Sequence, residues 1–341
     1  MSEFVETQTT EDPPQYKKKD FMSDQVIRWC PGCGDYSILS QVQTTMANLG
    51  LDPHKVAVIS GIGCSSRFPY YMNTYGFHTI HGRAPGFATG IKMANPDLNV
   101  WLVTGDGDGM SIGGNHLAHI LRRNVNINVL LFNNEVYGLT KGQYSPTSPV
   151  GQKTKTSPLG SIDRPFNPIN FALGANATFV ARTIDTHVKH MSAILKEAAA
   201  HEGTSFVEIY QNCVIFNDGC FDDVADRKIR DDMTIDLRPG ETLTYGKELD
   251  KGLRFNGWGL ERCSADEAST WDSTVESTAP SVMMGELANE AEMPRPIGIF
   301  RQVNAPVFES ETERQIAVAK EAKGEGKLRD LIFQGNTWEV E

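Results

Sequence analysis

No stretch of the sequence approaches the ~18–20 consecutive apolar residues that cross a bilayer as a helix, so a membrane-spanning helix is not expected. The opening residues, MSEFVETQTTEDPPQ, lack the apolar core of a signal peptide, and a cytoplasmic location is expected. Positive charge is in deficit: 32 Lys+Arg stand against 43 Asp+Glu, a net charge of −11. A chain of that sign repels phosphate backbones, which argues against a general nucleic-acid binder. Cysteine is scarce, with six residues and no export signal, which argues against a disulfide framework. In a reducing compartment, clustered cysteines read first as metal or cluster ligands. No solenoid-type repeat is visible. What is present is ordinary globular material: 341 residues, 40% hydrophobic and 22% charged, enough for one large domain or two at ~150 residues each.

The acidity is confined to one end. Residues 1–221 hold 18 acids and 17 bases, whereas residues 222–341 hold 25 acids and 15 bases. Residues 1–25, with PP at 13–14 and KKK at 17–19, read as an N-terminal arm. Residues 26–221 alternate short apolar runs with helical segments, the pattern of a doubly wound, mostly parallel α/β sheet. The expected strands are 56–60, 100–104, 127–132, 178–181 and 205–210, and the expected helices 36–49, 86–93, 111–121 and 187–201. The Ser/Thr/Pro/Gly-rich stretch 140–170 breaks this rhythm, and a loop that long inside a domain is functional or disordered. Beyond 221 the chain is polar and weakly periodic. It reads as an extension that wraps a partner or its own core, in preference to a small independent domain.

Several motifs carry chemistry. Trp29-Cys30-Pro31-Gly32-Cys33-Gly34 places two thiols on a tight Pro-Gly turn. A CxxC alone is compatible with a zinc half-site, a redox dithiol or two buried thiols, and two further ligands would complete a four-thiolate site. Gly105-Asp106-Gly107-Asp108 follows a strand and precedes a helix. Its glycines let backbone N–H groups approach phosphate oxygens, and a carboxylate beside phosphate calls for a bridging cation such as Mg²⁺. Asn133-Asn134-Glu135-Val136-Tyr137-Gly138 follows the next strand and offers further hard oxygen ligands. Twenty-six residues lie between Gly107 and Asn134, the length of one helix and one strand, so neighbouring parallel strands would present Asp106 and Asn134 side by side. Together these form the thiamine diphosphate fingerprint. Cys64, in Gly61-Ile62-Gly63-Cys64, and Cys213 also fall just past strands. Asp106, Asn134, Cys64 and Cys213 therefore converge on the crevice at the carboxyl edge of the sheet. Cys220 and Cys263 read as bystanders. His81 stands in a glycine-rich helix entry, from which a ring nitrogen could reach a phosphate; a plain structural role competes. His187, His190 and His201 are expected at the surface. Arg67 has no acid near it in sequence, from Ile59 to Ile80, which leaves a substrate carboxylate as a candidate partner for its guanidinium; a surface position or an acid from another subunit competes.

From WCPGCGDYSIL through GIGCSSRFPYY, HGRA and GDGDGMSIGGNHL to NNEVYGLTKGQYSPTS and QNCVIFND, the sequence resembles the β subunits of 2-oxoacid:ferredoxin oxidoreductases. The acidic extension is similar to that of the 2-oxoglutarate type. The resemblance implies the thiamine-diphosphate-binding type of α/β fold. It implies a [4Fe–4S] cluster on Cys30, Cys33, Cys64 and Cys213, and Mg²⁺ on Asp106, Asn134 and the Val136 carbonyl. Thiamine diphosphate would lie against Ile62, Gly63, Cys64, Ser65, His81, Gly105, Gly107, Asp108, Gly138 and Leu139. Arg67 and Leu139 are the implied catalytic residues, though family members often carry Lys where this chain has Arg67. The glutamate that activates the cofactor's aminopyrimidine would come from a separate α subunit, in a heterodimer or an α₂β₂ assembly. The implied reaction is oxidative decarboxylation of 2-oxoglutarate to succinyl-CoA and CO₂, with electrons passed to ferredoxin. The alternatives are pyruvate or a branched 2-oxoacid as substrate, a non-redox thiamine decarboxylase, and a scaffold subunit holding zinc on four cysteines.

Overall fold

A computed structural model describes residues 15–290 and 292–340. Its centre is an eight-stranded sheet built from β1 (Val56–Ser60), β2 (Tyr75–His78), β3 (Asn99–Gly105), β4 (Ile127–Asn133), β5 (Phe179–Ile184), β6 (Thr204–Tyr210), β7 (Thr234–Leu237) and β11 (Arg295–Gln302). The strands run in the order β2-β1-β3-β4-β6-β5-β11-β7. Neighbours from β2 to β5 are parallel, while β11 pairs antiparallel with β5 and parallel with β7. A small antiparallel sheet of β8 (Thr244–Tyr245), β9 (Lys251–Phe255) and β10 (Leu260–Ser264) stands beside it.

The central strands are apolar runs, VWLVT and INVLLF, because both their faces are covered. Val56 and Val58 face one core with Trp101, Val103, Leu130 and Phe132, under the helices α1 (Asp35–Asn48) and α6 (Val188–Ala200). Ala57 and Ile59 face the other core with Leu102, Val129 and Leu131. That core lies under α2 (Ala84–Ala94), α4 (Gly114–Arg123) and α5 (Pro168–Gly174). This is the two-sided winding expected from the sequence.

The structure departs from the sequence reading in several places. The helix expected from residue 111 is broken. A short helix, α3 (Asp106–Met110), starts directly at the end of β3, and α4 begins only at Gly114, with Gly113 as its N-cap. Residues 222–341 do not stand apart from the sheet. They supply β7 and β11, and Leu243, Tyr245, Leu253 and Trp271 pack into the same core as α2 and α4. Trp271 Nε1 donates to the Ile299 carbonyl at 2.8 Å. Of the arm expected over residues 1–25, residues 1–14 lie outside the described structure. The rest lies on its own domain, with Phe21 fully buried and Lys18 Nζ donating to Ser40 Oγ. His190 and His201 are buried, not superficial: each ring finds a threonine, Thr183 at 2.7 Å and Thr178 at 2.8 Å, which lets a polar side chain sit on the inner face of α6.

Candidate active site

Four adjacent parallel strands deliver their following loops to one edge. β1 delivers Gly61–Cys64, β3 Gly105–Asp108, β4 Asn133–Val136 and β6 Gln211–Cys213. A parallel sheet places all carboxyl ends on the same side, so motifs distant in sequence meet there.

The meeting is close. Ile62, Gly63, Cys64, Ser65, His81, Gly105, Asp106, Gly107, Asp108, Asn134, Val136, Gly138 and Leu139 line one cavity of about 110 Å³, joined by Tyr137 and Thr140. Every residue expected to hold thiamine diphosphate or its Mg²⁺ therefore borders the same space. Tyr137 packs so tightly on Gly107 that a Cβ there would fall inside the ring, and its hydroxyl donates to the Gly107 carbonyl at 2.9 Å. Gly61 is likewise obligatory, because a Cβ would enter the Asp108 carboxylate.

The two aspartates of the motif do different work. Asp106 is 2% exposed, and burial pushes its carboxyl above the usual range. Its Oδ2 accepts the hydroxyls of Ser145 and Thr147, both from the long loop after β4. A buried carboxylate with hydroxyls on one oxygen suits a hard divalent cation. Asp108 is used by the chain itself: Oδ1 accepts the N–H groups of Ile62 at 3.1 Å and Gly82 at 2.7 Å, and Oδ2 accepts Thr104 Oγ1 at 2.7 Å. It fixes the β1 loop and the helix entry against β3. His81 Nδ1 lies 2.5 Å from Asp108 Oδ1, which commits Nδ1 as donor and leaves Nε2 for a ligand.

Asn134 is clamped on both ends of its amide. Nδ2 donates to Gln211 Oε1 at 2.7 Å, and Oδ1 accepts the Val136 N–H at 3.2 Å. Between them Glu135 takes a left-handed conformation, φ 55°, which turns its side chain into a second, polar cavity beside Arg182, Glu208 and Arg295. Burial, with the Asp106 charge behind it, pushes the Glu135 carboxyl up to about 8. In the same cavity wall Arg182 and Glu208, both fully buried, pair at 2.7 Å, and Asn133 Nδ2 donates to Glu208 Oε1 at 2.7 Å. Ser145, Thr147, Tyr137 and Gln211 were not singled out as site residues by sequence reasoning. The SPTS run and the residue before Asn212-Cys213 were the available signals.

Cys30, Cys33, Cys64 and Cys213 line a cavity of about 240 Å³ that shares Cys64, Asn134, Gly138 and Leu139 with the first one. Burial raises the thiols of Cys33 and Cys64, the latter to about 12. Such thiols are not free nucleophiles; they suit a site in which metal replaces their protons. Among the described residues no three His, Cys, Asp or Glu side chains close tightly enough for a single metal ion. Four thiols around one cavity offer the ligand set of a four-thiolate metal centre. Cys220 lines the other, polar cavity, and Cys263 lies on β10.

Arg67 is half-buried and does not line the thiamine cavity itself. It borders the cysteine cavity and a third space of about 470 Å³, together with Leu139 and Arg28. Leu139 borders all three cavities.

Residues 61–209 match the model of the thiamine pyrophosphate enzyme C-terminal TPP-binding domain. The 2-oxoglutarate oxidoreductase subunit KorB of Mycobacterium tuberculosis is 48% identical over 339 residues, covering 97% of this chain and 90% of its own. The β subunit of 2-oxoacid:ferredoxin oxidoreductase 1 from Aeropyrum pernix is 50% identical over 190 residues, 56% of this chain and 60% of its own. A solved 2-oxoglutarate:ferredoxin oxidoreductase from Magnetococcus marinus superposes with a TM-score of 0.74 at 34% identity, over 94% of this chain and 96% of its own. With its thiamine-diphosphate-binding domain and a relative matched nearly end to end, this chain belongs to the family of 2-oxoacid:ferredoxin oxidoreductase β subunits.

Proposed function

We propose that the chain is the β subunit of an enzyme that oxidatively decarboxylates 2-oxoglutarate to succinyl-CoA and CO₂ and passes the electrons to ferredoxin. The observation that carries this reading is the shared wall between the cavity of the thiamine motif and the cavity of the four cysteines. Two centres that border the same residues can exchange electrons without a long path. Bound thiamine diphosphate supplies an electron sink for the decarboxylation, and a [4Fe–4S] cluster on Cys30, Cys33, Cys64 and Cys213 supplies the one-electron outlet.

The residues of this chain bind and orient. Asp106, Asn134 and the Val136 carbonyl would hold Mg²⁺ against the diphosphate, with Ser145, Thr147 and Gln211 fixing the ligands. Asp108 holds the loops that carry Ile62 and Gly82. Leu139 borders both centres and the larger cavity, where Arg67 would meet a substrate carboxylate. An α subunit would complete the site. Leu331, Ile332, Phe333 and Trp338 near the C-terminus are exposed, which supports contact of the 222–341 region with that subunit. The Magnetococcus marinus structure holds 2-oxoglutarate, coenzyme A and succinyl-CoA, which favours the five-carbon substrate over pyruvate.

The test is anaerobic co-purification with the α subunit. A brown protein with iron and acid-labile sulfide near four each per chain, and 2-oxoglutarate-dependent reduction of ferredoxin that requires coenzyme A, is the expected result. A colourless zinc protein would overturn it.

A further inference from the structure

The largest of the three adjoining cavities, about 470 Å³, is not explained by the two cofactor centres. It shares Ile62, Gly63 and Leu139 with the thiamine cavity and opens past them toward the N-terminal segment. Two guanidiniums line it, Arg67 from the loop after β1 and Arg28 from the segment before the CxxC turn. Among the described residues neither is in an ion pair with an acid.

Arg28 stands on an anchored backbone. Its N–H donates to the Tyr71 hydroxyl at 2.9 Å, and the next residue, Trp29, is buried against the Tyr71 ring and donates Nε1 to the Cys64 carbonyl at 2.7 Å. The Arg28 side chain itself is exposed, so its charge is not part of the core. The anchored backbone keeps this guanidinium at the wall of the cavity, where it is available to an anion. The wall also carries His78, whose Nδ1 lies 2.9 Å from the Ser66 carbonyl, which leaves Nε2 for a ligand.

We propose that Arg28 is a specificity-determining residue that binds the carboxylate of the 2-oxoacid remote from the reacting carbon. This rests on the 2-oxoglutarate reading above. A five-carbon dicarboxylate brings two negative charges to a cavity lined by two guanidiniums against one acid, Asp24, with which neither is ion-paired, whereas a monocarboxylic 2-oxoacid leaves one guanidinium without a partner. Nothing adjacent to Arg28 in sequence signals a ligand; only the fold brings it to the cavity that Arg67 also lines.

The test uses the αβ complex with wild-type chain, Arg28→Met and Arg28→Lys. Each is assayed with 2-oxoglutarate, with 2-oxobutyrate as a monocarboxylate of similar reach, and across a coenzyme A series. Arg28→Met should lower the ratio of kcat/KM for 2-oxoglutarate over 2-oxobutyrate at least tenfold, mostly through KM. Arg28→Lys should recover part of it, and the cluster's electron paramagnetic resonance signal should be preserved in both. Equal losses on the two oxoacids, a rise confined to the KM for coenzyme A, or no change would each overturn the assignment, the second by giving the site to a phosphate. A wild-type complex that ignores 2-oxoglutarate would overturn the substrate reading as well; one that turns it over while Arg28→Met is unaffected overturns Arg28 alone.

Discussion

The side-chain amide of Gln211 receives the Asn134 amide, Nδ2 to Oε1 at 2.7 Å, and so ties the end of β6 to the end of β4. Its own Nε2 donates to Cys33 Sγ at 3.3 Å. One buried side chain, 1% exposed, thereby touches a residue of the cation site and a residue of the cysteine site. Gln211→Leu removes both bonds and leaves the Asn134 amide short of a partner, a loss of about 1–3 kcal/mol for a buried group. Affinity for Mg²⁺–thiamine diphosphate should fall roughly 5- to 100-fold, as that energy implies. Titration of cofactor-stripped protein by tryptophan fluorescence measures it. The cluster's midpoint potential should also drop, because hydrogen bonds to cluster sulfur raise it. Unchanged affinity and potential together would show that Gln211 links nothing.

Asp106→Ala should abolish cofactor retention without unfolding the domain. The carboxylate is buried at the end of β3 with two loop hydroxyls on one oxygen, and its proposed role is to hold the cation that faces the diphosphate. Thermal melting close to wild type, with thiamine lost on desalting, is the expected pair of results. A variant that keeps stoichiometric thiamine diphosphate and normal turnover would remove Asp106 from the metal site.

The parts of this site that could be read in the sequence share one property. Asp106, Asn134, Cys64 and Cys213 follow runs buried on both faces, so the chain announces where each strand ends and the parallel sheet does the rest. What was hidden depends on partners supplied by the fold. β2 is a four-residue edge strand, YGFH, whose aromatics Tyr75 and Phe77 stay exposed, so no buried run reveals it. β11 carries Pro296 and Gly298, which weaken a strand pattern, yet it is fixed by pairing on both sides. His190 and His201 look like surface residues until Thr183 and Thr178 are placed beside them. Gln211 is legible as a neighbour of Cys213, but its bond to Asn134 crosses from one strand to the next.

Cys213→Ala should lose or degrade the cluster, and Cys220→Ala should keep it. The two cysteines are close in sequence, but Cys213 lines the cavity with Cys30, Cys33 and Cys64, while Cys220 lines the polar cavity with Arg182 and Arg295. Its sulfur lies 3.9 Å from the Asn134 carbonyl, a weak bond that replacement by Ala removes at small cost. Iron content and low-temperature electron paramagnetic resonance of the reduced proteins separate the two. The reverse result would exchange the ligand assignment.

Burial lowers the His201 pKa to about 4, far below its unfolded value. A group with a depressed histidine pKa binds its proton more readily in the unfolded chain, so its contribution to stability is intact above the unfolded pKa of about 6.5 and declines as pH falls toward 4. At pH 5 the loss should be about 2 kcal/mol relative to pH 7. His201→Gln keeps a donor for Thr178 and removes the titration. Its stability at pH 7 will be lower than wild type, but the further loss between pH 7 and pH 5 should be smaller by about that amount. Urea midpoints at the two pH values decide it, and an identical pH dependence in the variant would place the acid sensitivity elsewhere.

Arg67 follows Cys64 by three residues, on the turn that closes the β1 loop, and lines the cavity that continues from the thiamine site. Among the described residues this half-buried guanidinium has no ion-paired acid, and the reaction brings a carboxylate with every turnover. Arg67→Met should therefore raise KM for the 2-oxoacid well over tenfold, as the loss of a charge-assisted pair of about 1.5–3 kcal/mol would. Iron content and thiamine content should stay at wild-type values, because Arg67 touches neither set of ligands through a hydrogen bond of its side chain. The choice of substrate then tells which carboxylate it meets. If pyruvate suffers less than 2-oxoglutarate, Arg67 meets the distal carboxylate and shares that task with Arg28. If both suffer equally, Arg67 takes the carboxylate beside the reacting carbon, which every 2-oxoacid carries, and Arg28 is left with the distal one. Unchanged KM values for both would make Arg67 a bystander and would return the cavity to a partner subunit.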